Sequence, residues 1–439
     1  MTRTVSVTFA LGLVLWSTPA WSQTSKPRPT GRVSFYTTAG LRSPKGAESE
    51  ASGEFATSIT FRTADLELKG LEVGVDVRHT GYSASGRPQR VSIYDGFVGM
   101  RLGAHGQFRG RVGHLWLPDL GTAGALAGAV IEYRGPQTGT SHQWTAGAFA
   151  GAEPLGYQTG YASGVRKFGG YVGFQRGFMQ RHIIGFAQIR QGALTERTML
   201  SVTNYIPAGR SFFMYQALEY DIKGPAAGAA KRGLSYFLVN ARASAGPRVE
   251  LQGTYNKGRS INARQLTDDV LNGRPLSTLA IDGLRYETKG GRVSLRVTQR
   301  TEVHAGYARD RNNRDDAATG RLTVGGYSSN LLGSGLDVAM SDARIDRPSG
   351  PYHSRYISIG RSIGRSWYVA SDYSTSLAVV RFVRSDGVVI ETRPWTRRLS
   401  ANVSATLGRR FSLTSVVDYT MDEGLNDIRV MTGVTWRLR

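Results

Sequence analysis

The chain has 439 residues, with 55 Lys and Arg against 33 Asp and Glu, a formal net charge of +22, and no cysteine. The missing cysteine excludes a disulfide framework, a thiolate metal site, a thiol nucleophile and a lipidated N-terminal cysteine. Length alone would admit two or three soluble domains, but no composition break marks a linker, and one β-barrel can absorb the whole chain.

Residues 1–22 read as a secretory signal. Arg3 supplies positive charge, Val5 to Trp16 form an apolar core, and Ala20-Trp21-Ser22 resembles a small-x-small cleavage site. That core is too short to span a membrane as a helix, which takes about 20 apolar residues. No longer apolar run follows, so any membrane crossing must be made by strands. Residues 23–30 are polar with two prolines and read as a short periplasmic lead.

From residue 31 the pattern is period two, which is that of a sheet with one apolar and one polar face. The first ten predicted strands are 31–40, 54–69, 71–80, 89–103, 105–116, 123–134, 142–152, 164–177, 180–191 and 195–206. Then come 210–222, 230–243, 246–258, 283–299, 300–310, 318–328, 332–343, 352–364, 366–384, 388–407, 409–420 and 426–438. Leu71, Val73, Val75 and Val77 oppose Glu72, Asp76 and Arg78; Val293, Leu295 and Val297 oppose Arg292, Ser294, Arg296 and Thr298. The clearest run is the last. Leu399, Ala401, Val403, Ala405 and Leu407 alternate with polar residues, as do Ile428, Val430, Thr432, Val434, Trp436 and Leu438. Strand 54–69 breaks this register between Phe61 and Leu66, which predicts a bulge, and strands 210–222 and 230–243 are apolar on both faces.

Connections after even-numbered strands are short, such as Lys69-Gly70, Gln299-Arg300 and Gly408-Arg409, whereas 41–53, 81–88, 153–163, 259–282 and 344–351 are longer. Connection 135–141 is an exception. This parity predicts an even strand number with both chain ends on one side, the periplasmic side of a barrel. A hydrophobic content of only 40% fits a wall in which one residue in two faces water. Part of the strand count is open, since a hairpin at 376–396 can project above the barrel.

The signal segment, the alternation, the turn parity and aromatic residues near strand ends such as Trp116, Trp144, Trp367 and Trp436 together resemble a Gram-negative outer-membrane β-barrel of the porin-like kind. The expected fold is all-β, a transmembrane antiparallel barrel of about 20–22 strands. The resemblance implies outer-membrane lipids, lipopolysaccharide and the barrel-insertion machinery as partners. Such barrels usually end on an aromatic residue; here the alternating set ends at Leu438, followed by Arg439. Strand signals begin near Gly31, which leaves no room for the plug domain of a transporter.

Chemistry is sparse. His79, His105, His114, His142, His182, His304 and His353 show no HExxH or paired spacing, and GxSxG is absent. His79 and His353 fall near loop ends and leave a cross-barrel site open. The Asp310 to Asp316 loop and Asp268-Asp269 offer oxygen ligands, but interleaved arginines and the spacing oppose a calcium loop. Gly124 to Gly128 and Gly169 to Gly173 lack the Lys and helix of a phosphate loop. No cofactor or metal is expected. Of the 55 basic residues 8 are Lys and the remaining 47 Arg, spread along the alternation without a nucleic-acid motif, so no nucleic acid is expected.

By parity Arg109, Arg111, Arg292, Arg296, Arg398, Arg429 and Arg437 face the lumen, with Glu72, Asp76, Glu250 and Asp418 among the acids. Arg rings in a pore favour anions; Arg and acid pairs that only brace the wall are the plainer reading. The expected function is a passive or loop-gated pore for small anionic solutes, with loop 259–282 as its constriction. The alternatives are a filled, non-conducting barrel serving as a surface binding protein or assembly component, an outer-membrane hydrolase, and a soluble all-β protein.

Overall fold

The computed structural model describes residues 29–64, 70–83, 87–103, 106–136, 142–155, 159–177, 179–383, 386 and 388–438. The signal reading at 1–22, nearly all of the lead and residues 65–69 of the expected bulge lie outside the described residues. As far as it is described, β2 pairs with β1 without a register shift, from Thr30↔Arg62 to Arg42↔Glu50.

The strands are β1 (Thr30–Pro44), β2 (Glu50–Ala64), β3 (Leu71–Tyr82), β4 (Arg90–Leu102), β5 (Phe108–Trp116), β6 (Ala125–Arg134), β7 (His142–Pro154) and β8 (Tyr161–Arg176). They continue as β9 (Gln180–Gln191), β10 (Leu194–Ala208), β11 (Phe212–Lys223), β12 (Gly233–Ala245), β13 (Val249–Ser260), β14 (Leu284–Arg296), β15 (Thr301–Asn312) and β16 (Thr319–Ser328). The last are β17 (Leu336–Arg347), β18 (Gly350–Ile363), β19 (Trp367–Ala378), β20 (Val380–Val383), β21 (Val389–Thr392), β22 (Trp395–Leu407), β23 (Phe411–Asp422) and β24 (Leu425–Leu438). Two short helices, α1 (Ala263–Leu271) and α2 (Thr278–Asp282), lie in the connection between β13 and β14.

Twenty-two of these strands form one antiparallel sheet in sequence order, and β1 closes it on β24 from Gly31↔Leu438 to Pro44↔Leu425. A closed sheet leaves no unpaired edge, which lets strands stand in an apolar medium. Both ends of the barrel chain lie at the rim that carries the tight turns, where Gly364 and Gly408 adopt φ of 62° and 69°, a left-handed backbone that glycine takes without strain.

Each predicted strand coincides with one barrel strand, and two boundaries need correction. The strands expected at 366–384 and 388–407 divide into β19 plus β20 and β21 plus β22, with β20 and β21 forming a separate hairpin outside the barrel wall. Connections 41–53 and 344–351 shrink to 45–49 and 348–349, because β1–β2 and β17–β18 continue their ladders beyond the alternating apolar stretch.

Residues directly opposite in adjacent strands share a face, so register carries each face around the barrel. The outer face exposes apolar side chains in a continuous band, among them Phe35, Ile59, Val112, Trp144, Val172, Leu295, Leu399 and Val434. The buried apolar cluster lies on the opposite face, inside the barrel: Phe97, Leu115, Leu126, Val130, Phe149, Ile183, Ala187 and Met199 come from β4–β7, β9 and β10, with Tyr171 of β8 packed against them. An apolar core on the inner face requires something apolar in the lumen to cover it.

Candidate functional site

That cover is residues 117–124, a strap between β5 and β6 whose 3-10 turn spans Pro118–Gly124. Leu117 N–H donates to Gly124 O at 2.8 Å and closes its base. Leu117 and Leu120 are buried with the core cluster. A Cβ on Gly185 of β9 would stand 2.5 Å from Leu120 Cδ2, so the glycine provides the recess that Leu120 fills. Burying two leucines contributes about 1.5–3 kcal/mol each.

Polar contacts pin the tip to the far wall. Glu219 of β11 accepts from Thr122 N–H at 2.7 Å and from Thr122 Oγ1 at 2.9 Å. Arg197 of β10 ties this point together, donating to Asp221 Oδ1 at 2.6 Å, Thr122 Oγ1 at 3.1 Å, Glu219 Oε2 at 3.3 Å and Ser235 Oγ at 2.7 Å. Gly121 has φ 58° and a Cβ there would meet Glu219 Oε1 at 2.3 Å, so only glycine fits. Asp119 pairs with Arg181 of β9 at 2.7 Å, and Thr203 Oγ1 donates to the Asp119 carbonyl at 3.0 Å. Burial pushes the Asp119 carboxyl above its ordinary range, and Arg181 opposes that shift. The fully buried Lys167 of β8 holds the other end of the strap, with Nζ donating to Ala125 O at 2.9 Å and lying 3.3 Å from Glu153.

The strap leaves a cavity on each side. One, of about 500 Å³, lies against β10–β14 and is lined by Arg197, Arg259, Glu219, Tyr215, Tyr236 and Tyr286. The other, of about 630 Å³, lies against β2–β9 and is lined by Arg62, Arg109, Arg111, Asp95, Glu132 and Tyr171. Trp116 and Pro118 border both. Nearly all the charges of the second cavity are paired: Arg62 with Asp95 at 2.8 Å, Arg134 with Glu132 at 2.6 Å, Arg181 with Asp119. Two charges are exceptions: Asp76, which is bonded only to Thr60, and Arg111. Arg111 makes no hydrogen bond or ion pair with another described residue, its Nε is buried without an acceptor, and it lies over the Phe97 ring at 5.5 Å.

Register places the other sequence candidates as follows. Arg109 Nε donates to Glu72 Oε2 at 2.7 Å, and the buried Glu72 also pairs with Arg101, so these side chains brace the wall. Asp76 accepts from Thr60 Oγ1 at 3.4 Å and lines the second cavity. Glu250 pairs with Arg242. Arg292 stands 3.8 Å from Glu302, and Arg296 Nη1 donates to Pro247 O at 3.5 Å. Arg398 pairs with Asp418 at 2.8 Å and Arg429 with Asp427 at 2.6 Å, the two arginine side chains being 54% and 64% exposed. Arg437 stands opposite Arg32 on β1, and neither has a bonded partner among the described residues.

Connection 259–282 leaves β13 and reaches across to β7, where Arg264 lies 3.6 Å from Glu153. It adds Ser260, Ile261 and Ala263 to the first cavity, while α1 packs on β10 and the turn Ala226–Gly228. Arg264 on α1 bonds Glu196, and Asp268 accepts from Gln191, so α1 is fastened to the rim of β9 and β10. Asp269 pairs with Arg274 at 3.6 Å. In the 310–316 loop Asn312 Oδ1 accepts from the N–H groups of Arg314 and Asp315, and Asp310 pairs with Arg321, which uses these groups in a turn. His79 and His353 do not meet across the lumen: His353 bonds Asp342 at 2.9 Å, His79 lies 3.4 Å from Gln89, and by register both are on the outer face.

The strap was not foreseen from sequence. Its signal is Leu117-Pro118-Asp119-Leu120-Gly121, an apolar connection at the rim of longer loops, beside strands such as β9 that are apolar on both faces. Arg197, Glu219 and Asp221 lie on β10 and β11, where bulges at Thr198/Met199 and Glu219/Tyr220 shift the alternation that parity relies on.

No family model matches the sequence, and no curated protein matches it. Among solved structures the chain is similar to Pseudomonas aeruginosa OccK11 (OpdR), at 9% identity and TM-score 0.42, covering 94% of this chain and 98% of the other. It is likewise similar to Pseudomonas aeruginosa OpdQ, at 9% identity and TM-score 0.42 over 94% and 99%. Acinetobacter baumannii OccAB2 gives 10% identity and TM-score 0.43 over 94% and 98%.

Proposed function

We propose that this chain is an outer-membrane β-barrel acting as a passive pore, narrowed from within by the 117–124 strap and biased to anionic solutes. The observation that carries the reading is the exposure of inner-face side chains opposite the strap: Arg398 and Arg429 are 54% and 64% exposed although a closed wall surrounds them. Space of that kind is a water path, whereas on the β4–β10 side an apolar cluster under the strap fills part of the lumen and leaves the second cavity beside it. The apolar outer band supports membrane residence. The chain ends at the short-turn rim support a periplasmic location for both.

Acids and arginines on the inner face are mostly bonded to one another, so the anion bias rests on the cations without an ion pair, Arg111, Arg32 and Arg437, with Arg292 and Arg296 further along the wall, set against Asp76 and Asp372, which bond only neutral groups. The reading assigns no catalytic role to any residue. Liposome swelling with matched anionic, neutral and cationic solutes tests it. Faster entry of the anion is expected, reduced by Arg111→Gln together with Arg292→Gln and Arg296→Gln; equal rates for all solutes would remove the bias. The second reading, a filled barrel that binds at the surface, is favoured by the packed half of the lumen and requires no solute entry at all.

A further inference from the structure

The outer face is not uniform in height. On β23–β1 the outward positions reach far from the short-turn rim without a charge, through Tyr419, Ile428 and Leu41, whereas on β22 the exposed Arg397 follows Leu399. On β13–β15 the apolar run stops earlier, at Leu251, Val293 and Tyr307, and the outward positions beyond carry Lys257, Lys289, Arg309 and Arg311, all exposed. Arg309 follows Tyr307 by one outward step, about 7 Å along the strand. These cations therefore stand at a depth where the opposite side of the barrel still presents apolar surface.

Their pairing is also incomplete. Lys289 is directly opposite Arg309, and like charges so placed repel. Glu287, the one acid among them, stands directly opposite Lys257 and Arg311, lies 3.6 Å from Lys289 and accepts from Tyr255 at 3.0 Å, so one acid faces four cations. Lys257, Arg309 and Arg311 have no bonded partner among the described residues. Gly320 faces Arg309 on the next strand, and the Tyr307 hydroxyl lies over it, 3.2 Å from where a Cβ would stand.

Resting on the membrane-spanning reading above, we propose that this patch binds the phosphorylated headgroup of a lipid in the leaflet on the long-connection side. Arg309, Arg311 and Lys257 supply charge-assisted hydrogen bonds to phosphate oxygens, and Tyr255 and Tyr307 flank the headgroup at the level where amphipathic rings settle. Neutral side chains here would leave the lipid phosphates unpaired, and acids would repel them.

Native mass spectrometry of the detergent-purified barrel with bis-phosphorylated lipid A, its dephosphorylated form and inorganic phosphate tests the site. Retention of the phosphorylated lipid alone is expected, falling about fivefold for each cation removed in Lys257→Gln, Arg309→Gln and Arg311→Gln. Arg398→Gln, on the inner wall, should leave retention unchanged. Equal retention of the dephosphorylated lipid, undiminished retention by the triple variant, or displacement of the lipid by inorganic phosphate would overturn the proposal. Heat-modifiable migration of each variant confirms a folded barrel, and the single variants serve if the triple one does not fold. Conductance of the same preparation reports on the pore separately, so loss of this site and loss of the pore reading are distinguished.

Discussion

Gly121 decides the path of the strap, because its left-handed φ and the 2.3 Å approach of Glu219 leave no room for a side chain. Gly121→Ala is expected to cost about 1–3 kcal/mol at the strained position. It should also loosen the tip from β11 and raise single-channel conductance, read alongside the unfolding midpoint. Asp119 gives the pore a pH dependence. Its carboxyl is held above the ordinary range by burial, so acidification protonates it before an exposed aspartate. That removes a negative charge beside Arg181 and makes the constriction more positive. Reversal potentials are therefore expected to shift toward stronger anion preference as pH falls, and Asp119→Asn should show that preference at neutral pH with the step abolished. A shift toward cations on acidification would contradict the assignment. At this scale sequence parity placed Arg398, Arg429 and Asp418 on one face, because an unbroken ladder preserves alternation. It could not tell that Arg109 is consumed by Glu72 while Arg111, two residues on, is left uncompensated; that depends on which side chains neighbouring strands bring alongside.

Among the elements, the strap narrows the lumen from within, and the longest connection lines the cavity on one side of it. Replacing 117–124 by a short glycine turn is expected to raise conductance severalfold while leaving a heat-modifiable barrel, since the wall strands pair with one another without it. Unchanged conductance would mean that the strap does not restrict the path. Leu120→Ala should cost about 2–5 kcal/mol through the cavity left against Gly185 and Ile183, measured by denaturant unfolding. Strand positions were legible because period two survives in almost every strand, and the even-odd alternation of connection lengths was legible because tight turns such as those at Gly364 and Gly408 interrupt the alternation for only a few residues. The strap was not, since the seven residues of its 3-10 turn, Pro118–Gly124, give no periodic signal. Its trace was indirect: β9, with Ile183, Ile184, Phe186, Ala187 and Ile189, is apolar on both faces because one meets the strap. The length of 259–282 pointed to a connection that reaches inward, and its helix α1 spans from β13 to β7 and β10 through Arg264, Glu153 and Glu196.

For the whole molecule the account joins closure, an apolar outer band and a lumen packed on one side and wet on the other. Closure through β1 and β24 removes the sheet edge, and the wet side keeps arginines exposed inside the wall. The most direct test is single-channel recording of the detergent-purified protein in a planar bilayer under a salt gradient. Steady openings with a reversal potential on the anion side are expected. Silence from a protein that migrates as a folded, heat-modifiable barrel would contradict the pore and leave a filled barrel in its place.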